Sequence, residues 1–280
     1  MQKIVVANNG TLIKSNRFLR PTHARNLGFR EVDTPYTVFV DNDVIVADGW
    51  LEALVDCAEA VQADYVSPVV TQTLGGLLQI HIAGGNNRLV AAPRGANFEE
   101  KYAHMHRSYA DVAAGLVREE VSMAEFHAML VRTKTLRKLG GLDECCSTAF
   151  EHNDFCLSVA RLGGKGWLEP SAMVDYAPIP AGLYGNFSYC LLRWSSAWIR
   201  ESHLGFCAKW GVQPSDAVFQ DDLRSLHSRR RRPVRYLRAA VRRIGGHAAM
   251  TWLDEWTDWF IENLLRRFHE RRGLRITTLR

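Results

Sequence analysis

The feature that most constrains the fold is the stretch TVFVDNDVIVADGW, in which an apolar, β-type run ends in two closely spaced aspartates. A helix is predicted directly afterwards, because apolar residues recur at helical spacing over residues 49–61. Residues 64–70 form another apolar run and predict a further strand. This alternation of strand, turn, helix and strand indicates an α/β protein built in layers.

Asp41 and Asp43 follow a strand whose composition is that of a protein core. Alternate residues of an extended segment point to the same side, so these two carboxylates can converge on one ligand. Their repulsion costs free energy unless a cation offsets it. Mg²⁺ and Mn²⁺ suit such a pair, because they also take ligands from water and phosphate. The alternative is a solvated turn, with Asp43 or Asp48 as the helix N-cap.

The neighbouring sequence, HARNLGFREVDTPYTVFVDNDVIVADGWLEALV, resembles the family 2 glycosyltransferases of GT-A fold. In that family an A-R-N-x-G motif precedes a strand that ends in D-x-D, and a helix containing W-L-e-x-L follows. The order and spacing of these motifs are far more specific than D-x-D alone. The matching residues are Ala24, Arg25, Asn26, Gly28, Asp41, Asp43, Gly49, Trp50, Leu51 and Leu54.

A second resemblance to the family lies between Glu125 and Tyr176. There the family has GGlDE, then an acidic motif that opens a helix, then a glycine and a proline. The matching residues are Gly140, Gly141, Leu142, Asp143, Glu144, Glu151, Asp154, Gly164 and Pro170. The resemblance implies a GT-A-like (Rossmann-like) mixed sheet with flanking helices. The helical pattern from residue 188 onward adds a helical C-terminal extension.

The resemblance implies an enzyme that moves a sugar from a nucleotide-diphosphate donor to an acceptor hydroxyl with inversion. By the same resemblance Asp43 would hold Mn²⁺ or Mg²⁺, which neutralises the diphosphate leaving group. Asp41 would share the metal or contact the ribose, and Arg25 and Asn26 would bind the donor. For Arg25 the alternative is a surface arginine near a turn.

Inversion needs a general base within reach of the acceptor hydroxyl. Glu151 and Asp154 are three residues apart, so they lie on one face of the helix that they open. His152 stands where the family usually has a second acid. The base is therefore Glu151, which we favour, or His152, or a residue elsewhere. Glu151 and Asp154 can also serve only to stabilise a helix N-terminus.

Besides His152, two features depart from the family pattern. The third metal ligand, often a histidine, would fall near Tyr176, and His81 is a poor substitute because a lone histidine in an apolar run is more often structural. Arg193 and Trp194 match the R-W of an acceptor motif, but they equally suit core packing. The usual N-terminal βαβ unit is represented only by Lys3–Gly10, which predicts a strand and a turn. The domain is thus expected to be N-terminally incomplete, and a non-catalytic GT-A-like binding protein is the rival interpretation.

A change of composition near residues 215–225 divides the chain into a glycosyltransferase domain, 1–220, and a basic helical extension, 221–280. The formal net charge is +5, yet nine arginines and no acidic residue lie between Arg224 and Arg243. The remainder of the chain is therefore net negative. This distribution argues against a nucleic acid as the partner of the main domain.

The basic segment at 229–244 predicts an amphipathic helix, whose apolar face would carry Val234, Leu237, Val241 and Ile244 and whose other face would carry Arg235, Arg238 and Arg242. Such a helix can contact an anionic membrane, which would suit a saccharide or lipid-linked acceptor in cell-envelope polysaccharide or glycolipid synthesis. The alternatives are a solvated face and an arginine tract that binds nucleic acid. No apolar run reaches the length of a membrane span. The expected location is cytoplasmic, or peripheral at the inner face of the membrane.

Overall fold

The computed structural model describes residues 2–177, 187–214 and 234–279. Its helices are α1 (Gln2–Ala7), α2 (Pro21–Phe29), α3 (Trp50–Val61), α4 (Tyr109–Val112), α5 (Thr133–Leu139), α6 (Glu151–Arg161), α7 (Phe187–Arg193), α8 (Ser196–Trp210), α9 (Arg235–Phe260) and α10 (Arg266–Glu270). Its strands are β1 (Leu12–Ser15), β2 (Tyr36–Val40), β3 (Val44–Val46), β4 (Tyr65–Leu74), β5 (Leu77–Ile82), β6 (Gly85–Ala92), β7 (Gly95–Tyr102), β8 (Glu119–Val121), β9 (Ala128–Arg132), β10 (Gly166–Tyr176) and β11 (Ile276–Leu279).

The central sheet is mixed. Among the described residues it contains seven strands in the order β2-β9-β4-β10-β3, with β5 paired to β4 and β8 paired to β10. Strands β4 and β10 run parallel, whereas the other neighbours are antiparallel. The predicted class, an α/β mixed sheet with flanking helices and a helical C-terminal segment, is confirmed.

Helices cover both faces of this sheet. One face packs against α3 through a cluster containing Leu54, Cys57, Ala58, Val66, Leu130 and Ala172. The opposite face packs against α5 and α6 through a cluster containing Phe39, Tyr65, Met129, Val131, Leu136, Phe155 and Leu168. The side chains alternate along each strand, so the neighbours Tyr65 and Val66 belong to opposite faces. Position 166 requires glycine, because a Cβ there would lie 1.9 Å from the ring of Tyr65.

The predicted strand at Lys3–Ala7 is wrong, because this run lies in α1. None of the α1 residues is buried, and none pairs with a strand of the described chain. β-Branched residues favour a strand where a neighbouring strand offers packing and hydrogen bonds. Without such a neighbour the local hydrogen bonds of a helical turn prevail, and Gly10 N closes the turn by donating to Val5 O at 2.8 Å.

Residues 75–107 are more regular than the loops with short strands that the sequence predicts. They contain β5 and a hairpin, β6–β7, whose register runs from the pair Gly85–Tyr102 to the pair Ala92–Gly95. The hairpin packs through Phe98 against aromatic residues of α8, in a cluster with Phe150, Phe206 and Trp210. It thereby carries Glu100 to the beginning of α6.

The C-terminal segment is helical as predicted, and α9 changes direction at Gly246, which has φ of +73°. Strand β11 pairs antiparallel with β1, from Leu12–Leu279 to Ser15–Ile276. The domain boundary at 220/221 lies outside the described residues, so the division into 1–220 and 221–280 stays a prediction. Among the described helices, none combines the length and the hydropathy of a membrane span.

Candidate active site

The D-x-D segment lies at the carboxyl end of β2, between the beginning of β9 and the end of β10. Asp41 N donates to His127 O at 3.0 Å, and Ala177 N donates to Asp43 O at 2.9 Å. The backbone of both aspartates is therefore fixed by the neighbouring strands. Burial and the negative charge of Asp41 both raise the pKa of Asp43 above its ordinary value. A second negative charge at this place is costly unless a cation accompanies it.

Arg25 joins the D-x-D segment to the beginning of α6. Its Nη2 donates to Asp41 Oδ1 at 2.9 Å, and its Nη1 lies 3.6 Å from Glu151 Oε1. The guanidinium of Arg25 also lies over the ring of Phe126, 4.7 Å from its centroid. On the other side of Glu151, Arg193 Nη2 lies 3.7 Å from the same carboxylate oxygen. The structure thus brings together three of the predicted site residues, Arg25, Asp41 and Glu151.

Arg193, from the R-W pair, is held by α7 and by the loop before α6. Its Nη1 donates to Thr148 O, and its guanidinium lies over the ring of Trp194 at 4.6 Å. The side chain of Arg193 is 18% exposed, so this cation lies at the edge of the site. The roles weighed for this pair, contact with the acceptor and core packing, both stay predictions.

The other predicted donor residue, Asn26, faces a different loop. Asn26 Oδ1 accepts from Leu142 N at 2.8 Å, and Asn26 Nδ2 donates to Leu142 O at 2.8 Å and to Glu144 Oε1 at 3.1 Å. A Cβ on Gly141 would lie 2.9 Å from Asn26 Oδ1, so the glycine allows this close approach. The asparagine of the A-R-N motif therefore holds the GGLDE loop, next to Arg25 in the same helix.

His152 and Asp154 form their hydrogen bonds with residues other than Glu151. His152 Nε2 lies 3.2 Å from Glu100 Oε1, on β7, and Asn153 Nδ2 donates to the same oxygen at 2.7 Å. Burial favours the neutral imidazole, but the hydrogen bond and the charge of Glu100, with the charge of Glu125, outweigh it and raise the pKa of His152 to about 9. The side chain is therefore protonated at neutral pH.

Asp154 is bound by two residues of α8. Trp210 Nε1 donates to Asp154 Oδ1 at 2.8 Å, and Lys209 Nζ donates to Asp154 Oδ2 at 2.9 Å. Lys209 Nζ also lies 2.8 Å from Asp143 Oδ2. Although burial favours the neutral amine, Asp143 and Asp154 hold the pKa of Lys209 above its ordinary value. These contacts join α6 to α8 and use both oxygens of the Asp154 carboxylate.

A cluster next to Asp41 contains both positions that the sequence analysis considered for a third metal ligand, His81 and Tyr176, whereas its other members, Glu125 and His127, were not identified from the sequence. His127 Nδ1 lies 3.6 Å from Asp41 Oδ2, and His127 Nε2 lies 3.0 Å from both Glu125 Oε2 and His81 Nε2. The ring of Tyr176 packs against both imidazoles, with centroids 4.5 Å and 4.9 Å away. Glu125 and His127 are two residues apart just before β9, and this spacing could have indicated that their side chains point to the same side.

Comparison with known proteins now adds to this geometry. The sequence profile described as glycosyl transferase family 2 matches residues 8–140, which include the A-R-N-x-G and D-x-D motifs. Over these residues, just under half of the chain, the sequence matches glycosyltransferase family 2. The predicted resemblance to this family is confirmed.

The curated proteins that the chain resembles include the pre-mycofactocin glycosyltransferases of two Mycobacterium tuberculosis strains, CDC 1551 / Oshkosh and ATCC 25618 / H37Rv. Each is 28% identical over 160 residues, which cover 56% of this chain and 30% of the relative. The chain therefore matches less than a third of the length of these relatives.

Two solved structures are also similar. GalNAc-T7 with UDP, GalNAc and Mn²⁺ has a TM-score of 0.44 and 14% identity, over 75% of this chain and 42% of that one. The mannosyltransferase PcManGT from Pyrobaculum calidifontis, in complex with GDP-Man and Mn²⁺, has a TM-score of 0.36 and 13% identity, over 89% of this chain and 62% of that one.

Proposed function

We propose that this protein transfers a sugar from a nucleotide-diphosphate donor to a hydroxyl of a saccharide or lipid-linked acceptor, with inversion at the anomeric carbon. The observation that carries this proposal is the ion-pair chain Asp41–Arg25–Glu151. It joins the Asp41–Asp43 pair, which is suited to a metal ion bound to a diphosphate, to Glu151, which is suited to accept a proton. The family match over residues 8–140 supports the same reaction class.

The carboxylates of the D-x-D segment fit a divalent cation. The raised pKa of Asp43 shows that burial and Asp41 make its negative charge costly, and a cation would relieve that cost. Mn²⁺ and Mg²⁺ accept such oxygen ligands. Asp41 and Asp43 would hold this metal, and when bound it would neutralise the charge that develops on the diphosphate. Arg25 fixes the orientation of Asp41 and adds a positive charge to the donor side.

Glu151 is the general base in this proposal. Its side chain is 11% exposed at the beginning of α6, and its Oε1 lies 3.6 Å from Arg25 Nη1 and 3.7 Å from Arg193 Nη2. His152 is unsuited to the role, because a histidine with a pKa of about 9 already carries its proton at neutral pH. Asp154 is unsuited for another reason, since its carboxylate is bound by Lys209 and Trp210.

Thermal unfolding in the presence of nucleotides tests the donor site. UDP, GDP, TDP and CMP are each added with and without Mn²⁺ to the wild type and to Asp43→Asn. One nucleotide at about 100 times its dissociation constant should stabilise the wild type by about 2.7 kcal/mol, and only with the metal. For a chain of this length such a gain raises Tm by about 5–10 °C.

The matched control is Asp48→Asn, which removes an exposed carboxylate from the same segment. It should keep the metal-dependent gain in Tm that Asp43→Asn loses. If no nucleotide stabilises the wild type with Mn²⁺, the donor site is not functional and a non-catalytic binding protein becomes the better interpretation.

The same proposal places the acceptor side near an anionic membrane at the inner face of the cell envelope. Of the segment 229–244, residues 229–233 lie outside the described structure. In α9, Leu237 is 53% exposed and Ile244 is 90% exposed, and the same helix contains basic residues. Exposed tryptophans lie further along it, at Trp252, Trp256 and Trp259. Exposed apolar and basic residues on the part of α9 before its bend at Gly246 are typical of an interfacial contact, and the tryptophans lie beyond that bend.

Cosedimentation with lipid vesicles tests this contact. The chain should bind vesicles that contain phosphatidylserine and bind phosphatidylcholine vesicles much less, because each basic residue near an anionic surface contributes about 1 kcal/mol. Ile244→Asp should weaken the binding, whereas Val117→Asp, at a position 59% exposed in the main domain, should not. Equal binding of all variants, or no preference for the anionic lipid, would contradict the membrane contact.

A further inference from the structure

The cluster of His81, Glu125 and His127 has the composition and the spacing of a metal site. The three ligand atoms are His81 Nε2, His127 Nε2 and Glu125 Oε2, and they lie 3.0, 3.0 and 3.8 Å from one another. The side chains are 16–17% exposed, so the group lies below the surface at the end of β5 and before β9. Ligands bound to one zinc ion at about 2.0–2.1 Å in a tetrahedron would be about 3.3 Å apart.

Protons alone satisfy this arrangement poorly. His127 Nε2 has two neighbours at 3.0 Å, the carboxylate of Glu125 and the imidazole of His81. If His127 Nε2 carries a proton, it must share that proton between Glu125 Oε2 and a lone pair of His81 Nε2, and it has no lone pair left for a proton on His81 Nε2. If neither imidazole carries a proton on Nε2, Glu125 Oε2 lies 3.0 Å from a lone pair of His127 Nε2. A single cation attracts all three atoms at once.

The surroundings orient the two histidines as a ligand pair. A metal-bound histidine usually donates its second ring N–H to a carboxylate or a carbonyl. His127 Nδ1 is buried without a hydrogen-bond partner and lies 3.6 Å from Asp41 Oδ2, so a small shift would form that contact. Tyr176 packs against both imidazole rings and limits their rotation.

We propose that His81, Glu125 and His127 bind one transition-metal ion of the Zn²⁺ class, separate from the ion at Asp41 and Asp43. Two imidazole nitrogens select Zn²⁺, Co²⁺ and similar ions over Mg²⁺, whereas the two aspartates offer only oxygens. Three protein ligands are the number found in zinc sites that keep a position open for water or a substrate oxygen. The site goes beyond the proposed transfer reaction, because its existence does not depend on nucleotide binding.

Titration of the metal-free full chain with CoCl₂ tests the site, with visible absorption of the bound ion as the signal. Zinc retained after dialysis, measured by elemental analysis, gives an independent stoichiometry. The wild type should bind one nitrogen-ligated Co²⁺ ion, and His81→Ala and Glu125→Gln should each bind it at least tenfold more weakly. His247→Ala, which removes an exposed histidine of α9, and Asp43→Asn should bind as the wild type does.

Other outcomes overturn the proposal. It fails if the wild type binds no Co²⁺, if His81→Ala and Glu125→Gln bind as tightly as the wild type, or if Asp43→Asn alone abolishes binding. Cys145 and Cys146 are a competing ligand group, so Cys145→Ser should leave the titration unchanged. His81→Gln replaces His81→Ala if circular dichroism shows that the alanine variant is unfolded. Because the signal is Co²⁺ absorption, a normal titration without nucleotide stabilisation would reject the donor site alone.

Discussion

Replacing Glu151 by glutamine is expected to lower the rate of sugar transfer by about 10²–10⁴-fold, the range that a positioned general base contributes. The glutamine side chain has the same shape and fits between Arg25 and Arg193, but it cannot accept the proton of the acceptor hydroxyl. Nucleotide binding should remain, because the carboxylates of Asp41 and Asp43 are unchanged. A loss of rate with retained donor binding is the signature of a group that acts in the chemical step.

The rate is measured as release of nucleoside diphosphate from the nucleotide sugar whose base stabilises the protein, with water and simple glycosides as acceptors. Glu120→Gln is the matched control, since it makes the same change at a surface carboxylate that is 51% exposed and pairs with Lys165. The control should retain the wild-type rate. A wild-type rate in Glu151→Gln would remove Glu151 from the mechanism.

The pH dependence separates Glu151 from His152. Because the pKa of His152 is raised to about 9, a reaction that uses its neutral imidazole would become faster as pH rises from 7 towards 9. A reaction that uses an ionised carboxylate loses rate only at acidic pH and is flat across that range. We therefore expect a flat profile above neutral pH in the wild type and a fall of less than tenfold in His152→Gln.

The sequence predicted the centre of the site because its elements are local. The apolar run of β2, the aspartates after it and the helical spacing of α3 lie within 26 consecutive residues. Each of these patterns can be interpreted without knowing what packs against it. The prediction that Arg25, Asp41 and Glu151 belong to one site came from the family resemblance, because the resemblance supplies an order of motifs that spacing alone does not.

The histidine cluster could not be predicted in this way, because its members meet only through the sheet. His81 and His127 are 46 residues apart, and they meet because β5 and β9 both pair with β4. The pairing of β1 with β11 has the same origin, since Leu12 and Leu279 lie at opposite ends of the chain. Without their partners, β1 and β11 are four-residue runs with weak patterns of their own.

Residue type alone also fails to distinguish a structural carboxylate or amide from a reactive one. The family motifs predicted that Asn26 binds the donor and that Asp154 belongs to the catalytic residues. In the structure the amide of Asn26 holds Leu142 and Glu144, and the carboxylate of Asp154 holds Lys209 and Trp210. A residue of a motif can therefore serve the geometry of the site rather than contact the substrate.

Replacing Asp154 by alanine is expected to destabilise the protein by about 2–4 kcal/mol. The carboxylate is 3% exposed, and its removal leaves the indole N–H of Trp210 and the ammonium of Lys209 without their acceptor. Lys209 keeps Asp143 and is itself 24% exposed, so the cost should fall short of that for a fully buried broken pair. Tm should fall by about 5–12 °C in thermal unfolding.

Asp154→Asn separates the two contacts, because an amide oxygen still accepts from Trp210 Nε1 but offers no charge to Lys209. It should lose less stability than Asp154→Ala, and Asp56→Ala, at an exposed carboxylate of α3, should change Tm little. If Asp154→Ala unfolds as the wild type does but transfers no sugar, the carboxylate acts on substrate and its contacts with α8 are incidental. The expected order of stability is wild type above Asp154→Asn above Asp154→Ala. This order would show that Asp154 holds α8 against α6 through Lys209 and Trp210. Glu151 is then the carboxylate of this motif that acts on the acceptor.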